Sequence, residues 1–108
     1  MSKMPSEPHN WVIEEKINKE KLRQLAIELE RQLEIDALKS NDVAAFATNA
    51  AVVSAIRRAK NMEIDGPEEL GGMRYWLFET ELGDLKFSDL GNALANFSFA
   101  LKGWRLED

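Results

Sequence analysis

The sequence predicts an all-α fold, a small bundle of three to four helices around a buried alanine-rich central helix. Three observations carry this. The stretch Asp42–Lys60, DVAAFATNAAVVSAIRRAK, is apolar on every side of a helical wheel. Leu22, Leu25, Ala26, Leu29 and Leu33 fall within an arc of about 120° on a preceding helix. Leu90, Leu94, Phe97, Leu101 and Trp104 recur at alternating steps of four and three residues, one narrow stripe on a last helix.

At about 100° per residue, Phe46, Ala50 and Val53 cover one side of the central stretch. Ala47, Ala51 and Ala55 cover a flank, and Ala45, Val52, Ile56 and Ala59 cover the back. Alanine is the strongest helix former, so propensity agrees with the pattern. The apolar run is too short and too interrupted to span a bilayer, which needs about 20 apolar residues. The pattern implies a soluble helix wrapped by the rest of the chain. Asn49 reads as a buried amide bonded to backbone.

The elements in order begin with residues 1–17, read as a mobile N-terminal tail or arm, polar and proline-containing as far as Asn10. Residues 18–108 read as a single helical domain. Trp11, Val12 and Ile13 form an apolar patch suited to an extended arm on the body or an early helical turn. Asn18 is the candidate N-cap of the first long helix, which runs to about Ala37. Its outer face is charged, and Ile27, Ile35 and Leu38 lie opposite the leucine stripe, suited to a second subunit or another segment. Ser40 or Asn41 caps the central helix, and so short a link makes the two long helices antiparallel neighbours. Pro67 suits the first position of a helix, with Glu68 and Glu69 in its first turn, although Gly71 and Gly72 interrupt it. Beyond the two glycines, a helix over Met73–Leu82 ending at Gly83 is expected. The alternative is an α+β fold with a small hairpin at about 73–87, turning at Gly83–Asp84. An isolated hairpin is only marginally stable, which favours the helix. Ser88 caps the last helix and Gly103 ends it.

Composition narrows the function. The chain has 108 residues, no cysteine, one histidine and a net charge of −5. Disulfide and thiolate chemistry are excluded, and His9 alone cannot supply the usual ligand set for zinc. The opening residues do not read as a signal peptide, so a cytoplasmic protein is expected. The acidic balance argues against nucleic acid, and Arg57, Arg58 and Lys60 suit the C-terminal end of a helix dipole. No phosphate loop, metal motif or nucleophile–histidine arrangement occurs. Glu68, Glu69, Glu79, Glu81 and Asp84 have no diagnostic spacing for a catalytic pair. No catalytic residue, metal or cofactor is expected, and the chain does not read as an enzyme.

Seven of the nine aromatic residues stand after residue 74, and Arg74–Tyr75–Trp76 places three residue types enriched at interface hot spots side by side. Residues 63–89 hold eight acids and two bases. The candidate binding residues are therefore Arg74, Tyr75, Trp76, Phe78 and Phe99. Phe99 falls at about 180° from the last helix's apolar stripe. Two outlets serve it: a local contact with Trp104 across a Schellman turn at Gly103, or the two-fold mate of a homodimer, which is the expectation adopted. The functional expectation is a small acidic cytoplasmic protein-binding module, a regulator, adaptor or inhibitor of the immunity or antitoxin type. It would act as a homodimer on another, basic protein, with no nucleic acid or membrane partner. The alternative is a small helical enzyme or ligand carrier with an apolar pocket between helices.

Overall fold

The computed structural model describes residues 11–13 and 16–106. The fold is all-α. Among the described residues the chain forms α1 (Lys19–Asp36), α2 (Asn41–Ala47), α3 (Ala50–Lys60), α4 (Met73–Glu79) and α5 (Ser88–Leu101). Two 3-10 turns, Glu81–Gly83 and Leu85–Phe87, join α4 to α5. A three-residue strand at each end, β1 (Trp11–Ile13) and β2 (Trp104–Leu106), pairs antiparallel with Ile13 opposite Trp104. The patch at Trp11–Ile13 is thus the extended arm; the tail expected over residues 1–10 lies outside the described residues.

α1 begins where the sequence places it. The Asn18 side chain accepts from Lys21 N at 3.0 Å, satisfying one of the free amides of the first turn. Leu22, Leu25, Ala26, Leu29 and Leu33 are all buried. At the far end the buried Asp36 carboxylate accepts from Gln32 Nε2 at 3.0 Å and pairs with Lys39.

The Asp42–Lys60 stretch departs from expectation. It is two helices, broken at Thr48–Asn49. Asn49 is not a buried interior amide: its side-chain oxygen accepts from Ala51 N and Val52 N and caps α3. Thr48 Oγ1 donates to Ala44 O and Ala45 O, closing α2. Asn and Thr side chains compete with the helical backbone for its own hydrogen bonds, and here they end one helix and start another. All-round burial fails with the break. Val43, Phe46, Val52, Ala55, Ile56 and Ala59 are buried, whereas Ala45, Ala50 and Ala51 are exposed and Val53 is 44% exposed. The hub is α1 instead, packing on α5, α3 and α2. Its leucine stripe, Leu22 to Leu33, is buried without a break.

Ser40 caps α2, accepting from Asp42 N at 3.1 Å and Val43 N at 3.3 Å. α3 closes through Met62, whose φ of 59° is left-handed. Met62 N donates to Ala59 O and Glu63 N to Arg58 O, the paired bonds of a Schellman motif. No helix forms at Pro67. Residues 63–70 instead cross the body as an irregular segment, anchored by buried Ile64 and Leu70, by Glu68 N donating to Leu101 O at 2.9 Å, and by a two-pronged pair between Arg58 and Glu68. With backbone and side chain both engaged elsewhere, the segment does not need helical bonds of its own.

The hairpin over 73–87 does not form. The expected helix over Met73–Leu82 does, but it stops at Glu79, and Leu82 belongs to the first 3-10 turn. α5 starts at Ser88, which is its first residue rather than its cap. Leu90, Leu94, Phe97 and Leu101 are buried as the stripe requires. Gly103, at φ 84°, reverses the chain after α5. No described helix is long and apolar enough to cross a membrane.

Candidate binding surface on helix α4

α4 is seven residues long and contains no fully buried residue. At about 100° per residue, Met73, Trp76 and Leu77 share one side, and Arg74, Tyr75, Phe78 and Glu79 share the other. The inner three are half-buried against the core. The outer four line a shallow depression in the surface. Within it Tyr75 is 56% exposed and Phe78 77% exposed.

The inner face is set by an aromatic relay. Trp76 meets the fully buried Phe46 of α2 edge to face, with centroids 5.0 Å apart, and meets Tyr75 in the same manner at 5.3 Å. Edge-to-face contact matches the positive ring edge to the negative ring face. Trp76, half-buried, therefore anchors α4 on the side it shares with Met73 and Leu77. Arg74, Tyr75 and Phe78 are brought together outward. Phe99 is not part of this face. It stacks on Trp104, centroids 5.1 Å apart and planes 4° from parallel, with Lys102 Nζ within 6 Å of both centroids. Of the two outlets open to Phe99, the local one is taken, so the case for a dimer through this ring loses its motive. Gly103 N donates to Ala100 O at 3.0 Å, as a Schellman turn requires.

The C-terminal end of α4 is held by specific contacts, whereas its start carries no side-chain cap. Gly72 enters it at φ 76°. At the exit, Thr80 Oγ1 donates to Trp76 O at 2.5 Å and accepts from Leu82 N at 3.2 Å. The next residue is clamped to α2 from both sides: Ser40 Oγ donates to Glu81 Oε1 at 2.5 Å, and Glu81 N donates to Asp42 Oδ2 at 3.0 Å. Gly83 passes so close to α4 that a Cβ there would lie 2.0 Å from Leu77 O. The outer face of α4 is thus a short, pinned platform.

Acidic charge over residues 63–89 is mostly unneutralised. Asp65 pairs with Lys19, Glu68 with Arg58, and Glu81 lies 3.9 Å from Lys86. Glu69, Glu79, Asp84 and Asp89 are exposed and, among the described residues, have no cation within salt-bridge reach. The Arg58 guanidinium, through its hydrogen bonds, holds the Glu68 carboxyl below the usual carboxylate range, and Lys19 does the same for Asp65.

Sequence reasoning missed two features. Leu85 is 91% exposed in the second 3-10 turn. A cleft of about 520 Å³ opens between α1 and α3, floored by Leu33, Ala37, Ala47, Val53 and Ile56. Ala37, just past α1, and Ala47, at the end of α2, line it with short side chains. Glu30, Glu34, Arg57 and Lys60 form its rim. Among the described residues no three His, Cys, Asp or Glu side chains are grouped closely enough to hold a metal ion.

In comparisons with known proteins, no protein-family model, no curated protein and no solved structure matches the chain.

Proposed function

We propose that this protein is a cytoplasmic binding module, a regulator, adaptor or inhibitor rather than an enzyme, and that it engages another protein through the outer face of α4. One observation carries the reading. Two large aromatic side chains, Tyr75 and Phe78, stand in solvent on a helix whose inner side and C-terminal end are already fixed. Beyond the edge contact of Tyr75 with Trp76, folding gains little from rings so placed. A partner gains much, because aromatic side chains supply contact area at low cost in conformational entropy. The unneutralised carboxylates of Glu69, Glu79, Asp84 and Asp89 favour a basic partner, whose Lys and Arg side chains can use both the carboxylates and the ring faces.

The second reading, a ligand carrier, is supported by the α1–α3 cleft, whose volume falls in the range of small-molecule sites. Two of its polar groups, Glu30 and Lys60, are already paired with each other, which leaves fewer free to fix a ligand.

The test compares wild type with the Tyr75→Ser/Phe78→Ser variant as bait in lysate of the native organism, with retained proteins quantified by mass spectrometry. A protein retained by wild type and lost by an equally stable variant supports the reading. Identical retained sets overturn it.

A further inference from the structure

The α1–α3 cleft has walls of opposite charge. Glu30 and Glu34 stand on α1; Arg57 and Lys60 stand on α3. The helices run antiparallel across it. Glu30 lies level with Lys60, joined by a 2.6 Å ion pair that bridges one end. Ala37, just past α1, and Val53, near the start of α3, line the other. Four residues forward from Glu30 along α1 is Glu34, and three back from Lys60 along α3 is Arg57. At 1.5 Å rise per residue those steps are about 6 Å and 4.5 Å, so Glu34 and Arg57 stand at nearly the same level on opposite walls. Both are exposed, and among the described residues neither has an ion-pair partner. Between them lies an apolar floor whose edge, Val53, is 44% exposed.

Leu33 and Ile56 are already buried in the floor, and the partner that complements this cleft best brings apolar surface to Val53, a cation to Glu34 and a carboxylate to Arg57. A second copy of the chain brings all three. A two-fold axis running along the cleft preserves level and exchanges the walls. Glu34 then meets the mate's Arg57, Arg57 meets the mate's Glu34, and the two apolar floors face each other. The alternative two-fold, across the cleft, would set Glu34 against Glu34 and Arg57 against Arg57, so charge selects between the two arrangements. A small apolar ligand fills the floor but leaves both rim charges as they are.

We propose that the α1–α3 cleft is a self-complementary dimer interface closed by two reciprocal Glu34–Arg57 ion pairs. It stands independently of the α4 surface, on other helices and other residues.

Sedimentation equilibrium of the full chain at low salt tests it. Wild type is expected to dimerise. Glu34→Arg and Arg57→Glu each set like charges against one another twice, and each is expected to weaken the dimer at least about tenfold. The double variant Glu34→Arg/Arg57→Glu exchanges the walls and is expected to recover the wild-type dissociation constant to within about threefold. Circular dichroism and urea unfolding of the variants separate this from misfolding, since both side chains are exposed. A wild type monomeric up to about 1 mM overturns the proposal. So does a dimer indifferent to the single reversals, or a double variant that stays as weak as the singles.

Discussion

The ring of Phe99 lies parallel to the indole of Trp104, 5.1 Å between centroids, across the turn that ends α5. The two residues are C3 and C″ of a helix closed at Gly103, the positions that meet when the chain reverses in the left-handed conformation. The contact also draws Trp104 off the apolar stripe of α5 and carries the chain into β2. A coupling of about 0.5–1.5 kcal/mol between Phe99 and Trp104 is expected from a double-mutant cycle with Phe99→Ala and Trp104→Ala, read by urea unfolding. Additivity within about 0.3 kcal/mol would show that the stack contributes nothing to stability.

Ala51 and Ala55 differ by one helical turn and by burial, the first exposed and the second 2% exposed. Ala55→Leu is expected to cost about 1–3 kcal/mol through overpacking, and Ala51→Leu to change stability by no more than about 0.5 kcal/mol. Thermal unfolding of the two variants checks the pair. Equal losses would restore a helix buried on every side.

That contrast marks how much could be read in advance. Leu22 to Leu33 and Leu90 to Leu101 were legible because leucines at a 3.6-residue period define a face without ambiguity. The cap at Asn18 was legible, and the next was narrowed to Ser40 or Asn41, because cap chemistry is local. The alanine-rich stretch was not. Alanine suits a buried position and an exposed one equally, so a wheel crowded with it cannot show which side faces the core. The break at Thr48–Asn49 arises from side chains that serve the backbone better as caps than as helix interior. On α4, Arg74, Tyr75 and Phe78 were legible as a group. The direction of Trp76 depended on Phe46, thirty residues away. The cleft was hidden because its lining is assembled from three separate helices and the turn after α1.

Gly83 and Gly91 should respond oppositely to alanine. At Gly83 a Cβ would sit 2.0 Å from the carbonyl oxygen of Leu77, and backbone must shift. Gly83→Ala is expected to cost about 2–4 kcal/mol and to loosen α4, measurable as faster hydrogen exchange over Met73–Glu79. Gly91 lies within α5 with open space around its Cβ position. Gly91→Ala is expected to stabilise by about 0.5–1 kcal/mol.

Arg58 and Glu68 tie the irregular segment to α3 through bonds of 2.7 and 2.9 Å. The Glu68 carboxyl is depressed in the folded chain, chiefly by those hydrogen bonds. A depressed carboxyl contributes stability that is fully present above the unfolded value of about 4.3 and is lost as pH falls through the lower folded value. Both side chains are partly exposed, at 31% and 37%, so solvent screens the pair. Arg58→Met is expected to cost about 0.5–1 kcal/mol at pH 7, and the difference from wild type should shrink below about pH 4. Urea unfolding across that range checks it; a constant difference would mean that Arg58 acts through packing alone.

The outer face of α4 is tested most directly by site-specific photo-cross-linking in living cells of the native organism. A benzophenone amino acid is placed at Phe78 in one strain and at Gln24, exposed on α1, in another. A discrete cross-linked adduct to another protein from position 78, with none from position 24, is the expected result. No adduct from 78, or the same adducts from both positions, would contradict a binding role for this face.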